Sequence, residues 1–305
     1  MLDSVFKSLG LESRIERISV ALLLLSGVLH AIPFLLANKD WEDPTSFRKA
    51  ILFGVSTGLT LYSCLWTLRT LQPKSNDLRL SQILCTSLVI EVALITLQCW
   101  RNTESHFNTK TIFDECIEQA MLLFISIAMW FISKLTWRTW TKQFRPNTPA
   151  PVQSAATWGM SLLLLSGLIG FGISFLGYLQ MENGLPPYRW PGVREISTTS
   201  TGMGQGILKF PHGAALHAIQ LLALVAWAVR NTDPKTALWA VQLTATAHLF
   251  WLSFAIYQTA QGRSRFDVDP TSTLLMIATI LCSMTAGIFI LKRFIKPDLT
   301  SGEKP

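Results

Sequence analysis

Ionisable residues inside long apolar runs are where chemistry is to be sought in this chain, because a charge held in hydrocarbon is costly and usually faces a protein interior or a water-filled cavity. Glu91 stands within the apolar run 78–100, and Glu115, Glu118 and Gln119 occupy the first turns of the run 111–134. Lys49 and Lys209 open the runs 46–70 and 207–229. His212, His217 and Gln220 follow Lys209, and His248 lies in the run 236–259. Two neutral imidazoles facing each other, His217 and His248, could hold the iron of haem b axially. The small residues of HGAALHA and TATAH around them would leave room for a flat macrocycle. With His212 or Glu91 added, the same imidazoles could ligate a transition metal, since imidazole and carboxylate suit iron, zinc or copper. A third chemistry is transport, with Glu91, Glu118, Gln119, Lys49, Lys209 and Gln220 binding a proton-coupled or anionic solute. The bland alternative is that each group makes one interhelical hydrogen bond. Residue types leave these readings open.

Depth and helical phase gather the candidates. Glu91 is nine residues from the end of its run, His217 ten from the start of its run, and His248 eleven from the end of its run. At 1.5 Å per residue these offsets place all three roughly 13–17 Å below one boundary. On a continuous helix Lys209, His212, His217 and Gln220 span an arc of about 140°. Glu115, Glu118, Gln119, Ser126 and Ser133 form a stripe on the fourth helix, and Lys49, Ser56, Thr60 and Ser63 one on the second. His30, four residues after Ser26 and shortly before Pro33, lines a helix kink, and His106 sits in a loop. Arg48, Lys49, Arg101 and Lys209 form a basic rim, and Thr111 or Asp114 caps the fourth helix.

The elements that must position these groups are transmembrane. Half of the 305 residues are apolar and only 15% are charged, against about 25% charged in soluble domains. The charges lie between apolar runs of about 20 residues, the length that crosses a hydrocarbon core of about 30 Å. Backbone groups in lipid must be satisfied within the segment, so the runs are helices. Eight spans are expected, over 16–37, 46–70, 78–100, 111–134, 154–179, 207–229, 236–259 and 270–292, making an all-α polytopic bundle. The first run is too long for a signal-peptide core and lacks a clean small-x-small cleavage site. Eleven Trp suit the membrane interface, and the net charge of +7 reflects basic loops rather than a nucleic-acid partner. Sixteen of the 26 Lys and Arg fall on the side that includes both termini, which places both in the cytoplasm and the histidine-bearing ends outside.

Landmarks recur in order along the chain. LLLLSG occurs at 22–27 and again at 162–167. Lys49 and Lys209, Arg69 and Arg230, and Gln98 before SHFN and Gln258 before SRFD all share an offset close to 160 residues. They imply a 4+4 parallel duplication, with units 1–150 and 151–305 and extra residues in an outer loop at 180–206, the two halves related by an axis along the membrane normal. The duplication would not reproduce the histidines, for Thr57 and Leu88 stand opposite His217 and His248.

Known signatures exclude several activities. The chain has no P-loop, no GxGxxG following a strand, no HExxH, no CxxCH and no closely spaced histidine boxes. No Lys lies in the middle of the last two spans, which argues against a retinal Schiff base. Whether the protein is an enzyme is left open. Cys99 and Cys116 flank one loop and could pair in an oxidising compartment. The segments SFRKAILFG (46–54), WRNTESHFN (100–108) and KFPHGAALHAIQ (209–220) resemble a family of bacterial multi-pass inner-membrane proteins without an assigned activity. The resemblance implies a bacterial inner membrane and carries no functional residue. Partners are then the lipid bilayer and either other membrane subunits or further copies of the chain.

Overall fold

The computed structural model describes residues 13–37, 39–41, 43, 45–183 and 208–295, with side chains to residue 291. The chain termini and most of the expected outer loop 180–206 lie outside the described residues. Within them run ten helices: α1 Arg14–Leu29, α2 Ala31–Leu36, α3 Arg48–Thr70, α4 Asp77–Trp100, α5 Ile112–Trp140, α6 Ala150–Glu182, α7 Lys209–Leu216, α8 Ala218–Ala228, α9 Pro234–Ala260 and α10 Pro270–Ile295. With α1 joined to α2 and α7 to α8, they make eight helical segments long and apolar enough to cross a membrane. The chain is an integral membrane protein of the all-α polytopic class. Leu274, Ile277, Leu281, Met284, Ile288 and Leu291 of α10 are all exposed, a surface suited to hydrocarbon and untenable in water.

Local chemistry sets the helix ends. Ser13 and Glu16 form a capping box: the Glu16 amide donates to Ser13 Oγ at 3.1 Å and the Ser13 amide to Glu16 Oε2 at 3.1 Å. Thr111 caps α5 as expected, its Oγ1 accepting from the Asp114 amide at 3.1 Å. Asp233 caps α9 ahead of Pro234, which needs no amide partner at the first helical position. The first span breaks at His30 because Pro33 lacks the amide that the Leu29 carbonyl would accept from, and its ring crowds that carbonyl. The sixth span breaks at His217, where the Leu221 amide reaches the His217 carbonyl only at 3.4 Å. No proline stands there, and the structure offers no local cause.

Two compact units divide the chain at 146/147, four residues before the boundary expected from the sequence. In the first, α1 packs on α3, α3 on α4, α4 on α5 and α1 on α4. In the second, α6 packs on α7 and α8, these on α9, α9 on α10 and α6 on α9. The order of pairing is the same. The ends of α4 and α9 also match residue for residue at an offset of 160. Asn102 (φ 56°) and Gly262 (φ 67°) take the left-handed position. The Thr103 and Arg263 amides then close back on the Gln98 and Gln258 carbonyls at 3.1 and 2.9 Å, the Schellman arrangement.

Small residues let α1 and α3 touch backbone to backbone. A Cβ on Gly54 would lie 2.6 Å from Gly27 Cα, and one on Gly27 would lie 2.7 Å from the Val55 nitrogen. In lipid such close packing takes the place of a hydrophobic driving force between helices. At the end of this unit where α3 stops and α4 starts, two buried ion pairs add to it. Arg69 on α3 donates to both oxygens of Glu16 at 2.6 and 2.7 Å, and Glu16 is wholly buried. Arg138 on α5 donates to Asp77 at 2.8 Å and to the Gln72 carbonyl at 2.5 Å. This second pair carries α5 to Trp140, six residues beyond the end expected from its charges. The chain after α5 then doubles back along 70–72, the Gln72 amide bonding the Gln143 carbonyl at 2.9 Å.

Substituting Gly54→Ala is expected to force α1 and α3 apart and to destabilise the unit by about 1–3 kcal/mol. Thermal unfolding in detergent measures this, and an unchanged midpoint would contradict the backbone contact.

Candidate functional site

In the first unit the polar candidates collect beside the loop between α4 and α5. Lys49, one residue into α3, donates from Nζ to Ser105 Oγ at 2.9 Å. Ser105 Oγ lies 2.8 Å from His106 Nδ1. The ammonium can only donate, so the hydroxyl proton is free to go to the imidazole. The loop that presents Ser105 is internally fixed: Asn108 is buried, donates to Thr103 Oγ1 at 2.5 Å and the Glu104 carbonyl at 3.2 Å, and stands beside Phe107 at φ 58°. Cys99, Arg48, Glu104 and Glu118 are the charged or ionisable neighbours that act on Lys49. Glu118 is thus among the charged neighbours of Lys49.

Below this group the interior turns apolar. Ile95, Ile117 and Met121 pack into one cluster, with Phe53 and Leu94 against it. Phe53 is one turn along α3 from Lys49, and Ile95 one turn along α4 from Cys99. Glu91 comes one turn deeper, about 12 Å along α4 from Cys99 at the helical rise. It is 8% exposed, and its Oε2 is buried without a hydrogen-bond partner among the described residues. A buried carboxylate oxygen with no donor is rare, and such groups point to strain, catalysis or an absent ion or water.

The remaining sequence candidates scatter. Gln119 is exposed, as is Glu115. Ser126 and Ser133 return their hydroxyls to the Leu122 and Met129 carbonyls of their own helix at 2.6 and 2.8 Å. Lys209 and His217 are exposed in the second unit. Because the helix breaks at His217, the polar arc projected over residues 209–220 does not exist as one continuous face. His217 instead has a side-chain bond with Gln220. Among the described residues no three His, Cys, Asp or Glu side chains come together in a metal-ligating group. Cys99 is buried, Cys116 is exposed and both are free thiols, so the disulfide does not form.

Two histidines of the second unit are held in a defined tautomer. His212 Nδ1 lies 2.8 Å from the Ser166 carbonyl and His248 Nδ1 lies 3.0 Å from the Thr244 carbonyl. A carbonyl only accepts, so Nδ1 carries the proton in each ring and Nε2 keeps its lone pair. Ser166 Oγ, in the second LLLLSG, also donates to the His212 carbonyl at 2.9 Å. His30 has the same arrangement with the Ser26 carbonyl at 2.7 Å, but its Nε2 accepts from Trp100 Nε1 at 3.0 Å. With Phe47, 4.9 Å from Trp100 between ring centroids, this histidine ties α1 to α3 and α4.

Two aspartate locks escaped the sequence reading. Asp114 Oδ1 accepts from Gln98 Nε2 at 3.0 Å and from Arg101 at 2.5 Å, joining the end of α4 to the start of α5. Asp269 does the same between α9 and α10, accepting from the Ser272 amide at 2.8 Å and Tyr257 at 2.7 Å and forming an ion pair with Arg263 at 2.5 Å. Gln98 bonds Asp114 directly, whereas Gln258 donates to the Ser264 and Asp267 carbonyls at 2.9 and 2.7 Å. The Ser272 amide, then the Tyr257 hydroxyl, hold the Asp269 carboxyl well below the usual carboxylate range, and the bond to Asp269 raises Arg263. Compared with protein-family models, curated proteins and solved structures, the chain matches none.

A carboxyl whose folded value is depressed stabilises the fold above its unfolded value and loses that contribution as pH falls through the folded one. Asp269→Asn should therefore melt below wild type at neutral pH. The gap should narrow once pH drops under about 4, the unfolded carboxylate value. Melting curves across pH check this, and a gap that stays constant would remove the lock's charge from the account.

Proposed function

We propose that the protein is a small carrier of the bacterial inner membrane, both termini cytoplasmic, which moves a proton-coupled or anionic solute through the first unit. The buried, unpartnered Oε2 of Glu91 carries this reading. An oxygen in that state has a bond to offer to a proton, an ion or a solute that arrives and leaves. Lys49, Ser105 and His106 form the entrance, a donor chain with Glu118 and Glu104 among its charged neighbours. The apolar layer of Phe53, Ile95, Ile117 and Met121 separates entrance from Glu91 and serves as the barrier that must open for exchange. Shared helix pairing and matching ends of α4 and α9 favour a duplicated 4+4 architecture, which recurs in transporters.

Liposomes containing the protein and a pH-sensitive dye, driven by a potassium diffusion potential with valinomycin, test the proton step. Wild type should carry protons inward, and Glu91→Gln, which keeps the shape and removes the ionisable group, should reduce the flux to that of empty liposomes. Equal flux in the two proteins would overturn the role of Glu91.

A redox reading has one specific observation behind it: the Nε2 lone pairs of His212 and His248 are left available by their Nδ1–carbonyl bonds, the state in which imidazole ligates iron. In this reading haem b would be held by His217 and His248, since among the described residues no three such side chains form a metal-ligating group. Absorption spectra of purified protein, oxidised and reduced, should then show a Soret band that His248→Ala abolishes. A colourless, metal-free protein rejects that reading and leaves the carrier.

A further inference from the structure

At the opposite end of the first unit from Lys49, a cavity of about 110 Å³ lies between the start of α4 and the last turns of α5. One buried water needs about 10–15 Å³, so the space holds a larger group. Its wall is Lys74, Asn76, Asp77, Lys134 and Arg138, with Phe131 among the apolar contributors. Three cations face one carboxylate, and that carboxylate is already engaged: Asp77 accepts from Arg138 at 2.8 Å and from the Lys74 amide at 2.9 Å. The excess is positive.

Arg138 supplies a second and independent observation. It is 6% exposed, and its terminal nitrogens are taken by Asp77 and the Gln72 carbonyl, yet its Nε is buried with no acceptor among the described residues. A buried guanidinium donor without an acceptor is unfavourable unless something external supplies one. Around the cavity the lysines are uncommitted at the surface: Lys74 and Lys134 are exposed, and Lys134 Nζ lies 4.0 Å above the Trp130 ring. Trp130 and Trp137 on α5 are exposed at the same end, and indoles on an apolar helix surface settle at headgroup level.

We infer that this cavity binds a phosphate group, presented by an anionic phospholipid whose headgroup reaches Lys74, Lys134 and the Arg138 Nε–H while its chains lie along the indoles of α5. Basic pockets between transmembrane helices take anionic headgroups by the same electrostatics. Guanidinium and ammonium donors match phosphate oxygens, and the site is separate from Glu91 and its entrance.

The test uses the full chain purified in a neutral detergent and melted in the presence of phosphatidylglycerol, phosphatidylcholine or inorganic phosphate. Phosphatidylglycerol should raise the melting midpoint where phosphatidylcholine does not. In Lys74→Gln/Lys134→Gln the concentration needed should rise about tenfold or more. The single variants serve in its place if the pair does not fold. Protection by inorganic phosphate that is lost in the same variant would uphold the phosphate site and make free phosphate its source. Equal responses to both lipids with none to phosphate, or a variant that responds as wild type does, would overturn the proposal.

Discussion

Hydrocarbon offers no hydrogen bonds, and nearly everything in this molecule follows from that. Backbone amides and carbonyls are satisfied inside helices, so the chain is helical wherever it crosses. Side chains obey the same demand with less room. Hydroxyls of Ser63, Ser126, Ser133, Thr136 and Thr244 each return to a carbonyl three or four residues back, at 2.6 to 2.9 Å. Charged groups cannot be quieted that way and need a partner from another helix. Glu16 finds Arg69, Asp77 finds Arg138 and Asp114 finds Arg101, and each pair fastens two helices together. Breaking such a pair leaves an uncompensated buried charge, which is why one exchange can undo a contact between whole helices. Glu91 Oε2 and the Nε of Arg138 matter because each is a buried atom of a charged group with no hydrogen-bond partner among the described residues.

The two ends of the first unit divide the labour. Where α3 stops and α4 starts, ion pairs and the strand-like contact of Leu71 with Phe144 clamp the helices. Where α3 starts and α4 stops, one carboxylate–guanidinium pair, Arg101 with Asp114, stands beside links through neutral or singly charged groups, Lys49 to Ser105 to His106 and Trp100 to His30. A hydroxyl or imidazole can exchange donor for acceptor without leaving a bare charge behind, and a carboxylate–guanidinium pair cannot.

Length and hydropathy made the eight spans legible, since a run of 20 apolar residues between charges has one structural solution in a membrane. The kink at His30 was legible from Pro33. The overrun of α5 was not, because the charges from Lys134 to Arg138 read as the end of a span until the partner of Arg138, Asp77, 61 residues earlier, is known. The break at His217 has no breaker residue in its sequence, and it undid a polar face drawn on an unbroken helix. Glu91 lies buried in the helix bundle. Facing was harder: Gln119, Lys209 and His217 satisfy a periodic pattern and still lie exposed. A single sequence fixes a helix's phase only where its neighbours are known.

What the two units share and where they part bears on function more than any motif does. Helix pairing, the left-handed caps at Asn102 and Gly262, and an aspartate lock after each recur, and all of these build a scaffold. At the same offset of 160, Glu91 faces Trp251, which stacks on Phe254 at 5.3 Å and meets Phe210 at 5.6 Å. Lys49, bonded to Ser105, faces Lys209, which is exposed. His217 and His248 face Thr57 and Leu88. One unit has an acid where the other has a packed aromatic, and the other has imidazoles where the first has neither charge nor ring. The scaffold features shared by the two units thus carry different side chains at the positions compared. The proposed carrier site and the proposed redox ligands therefore lie in different units of the chain and are tested independently.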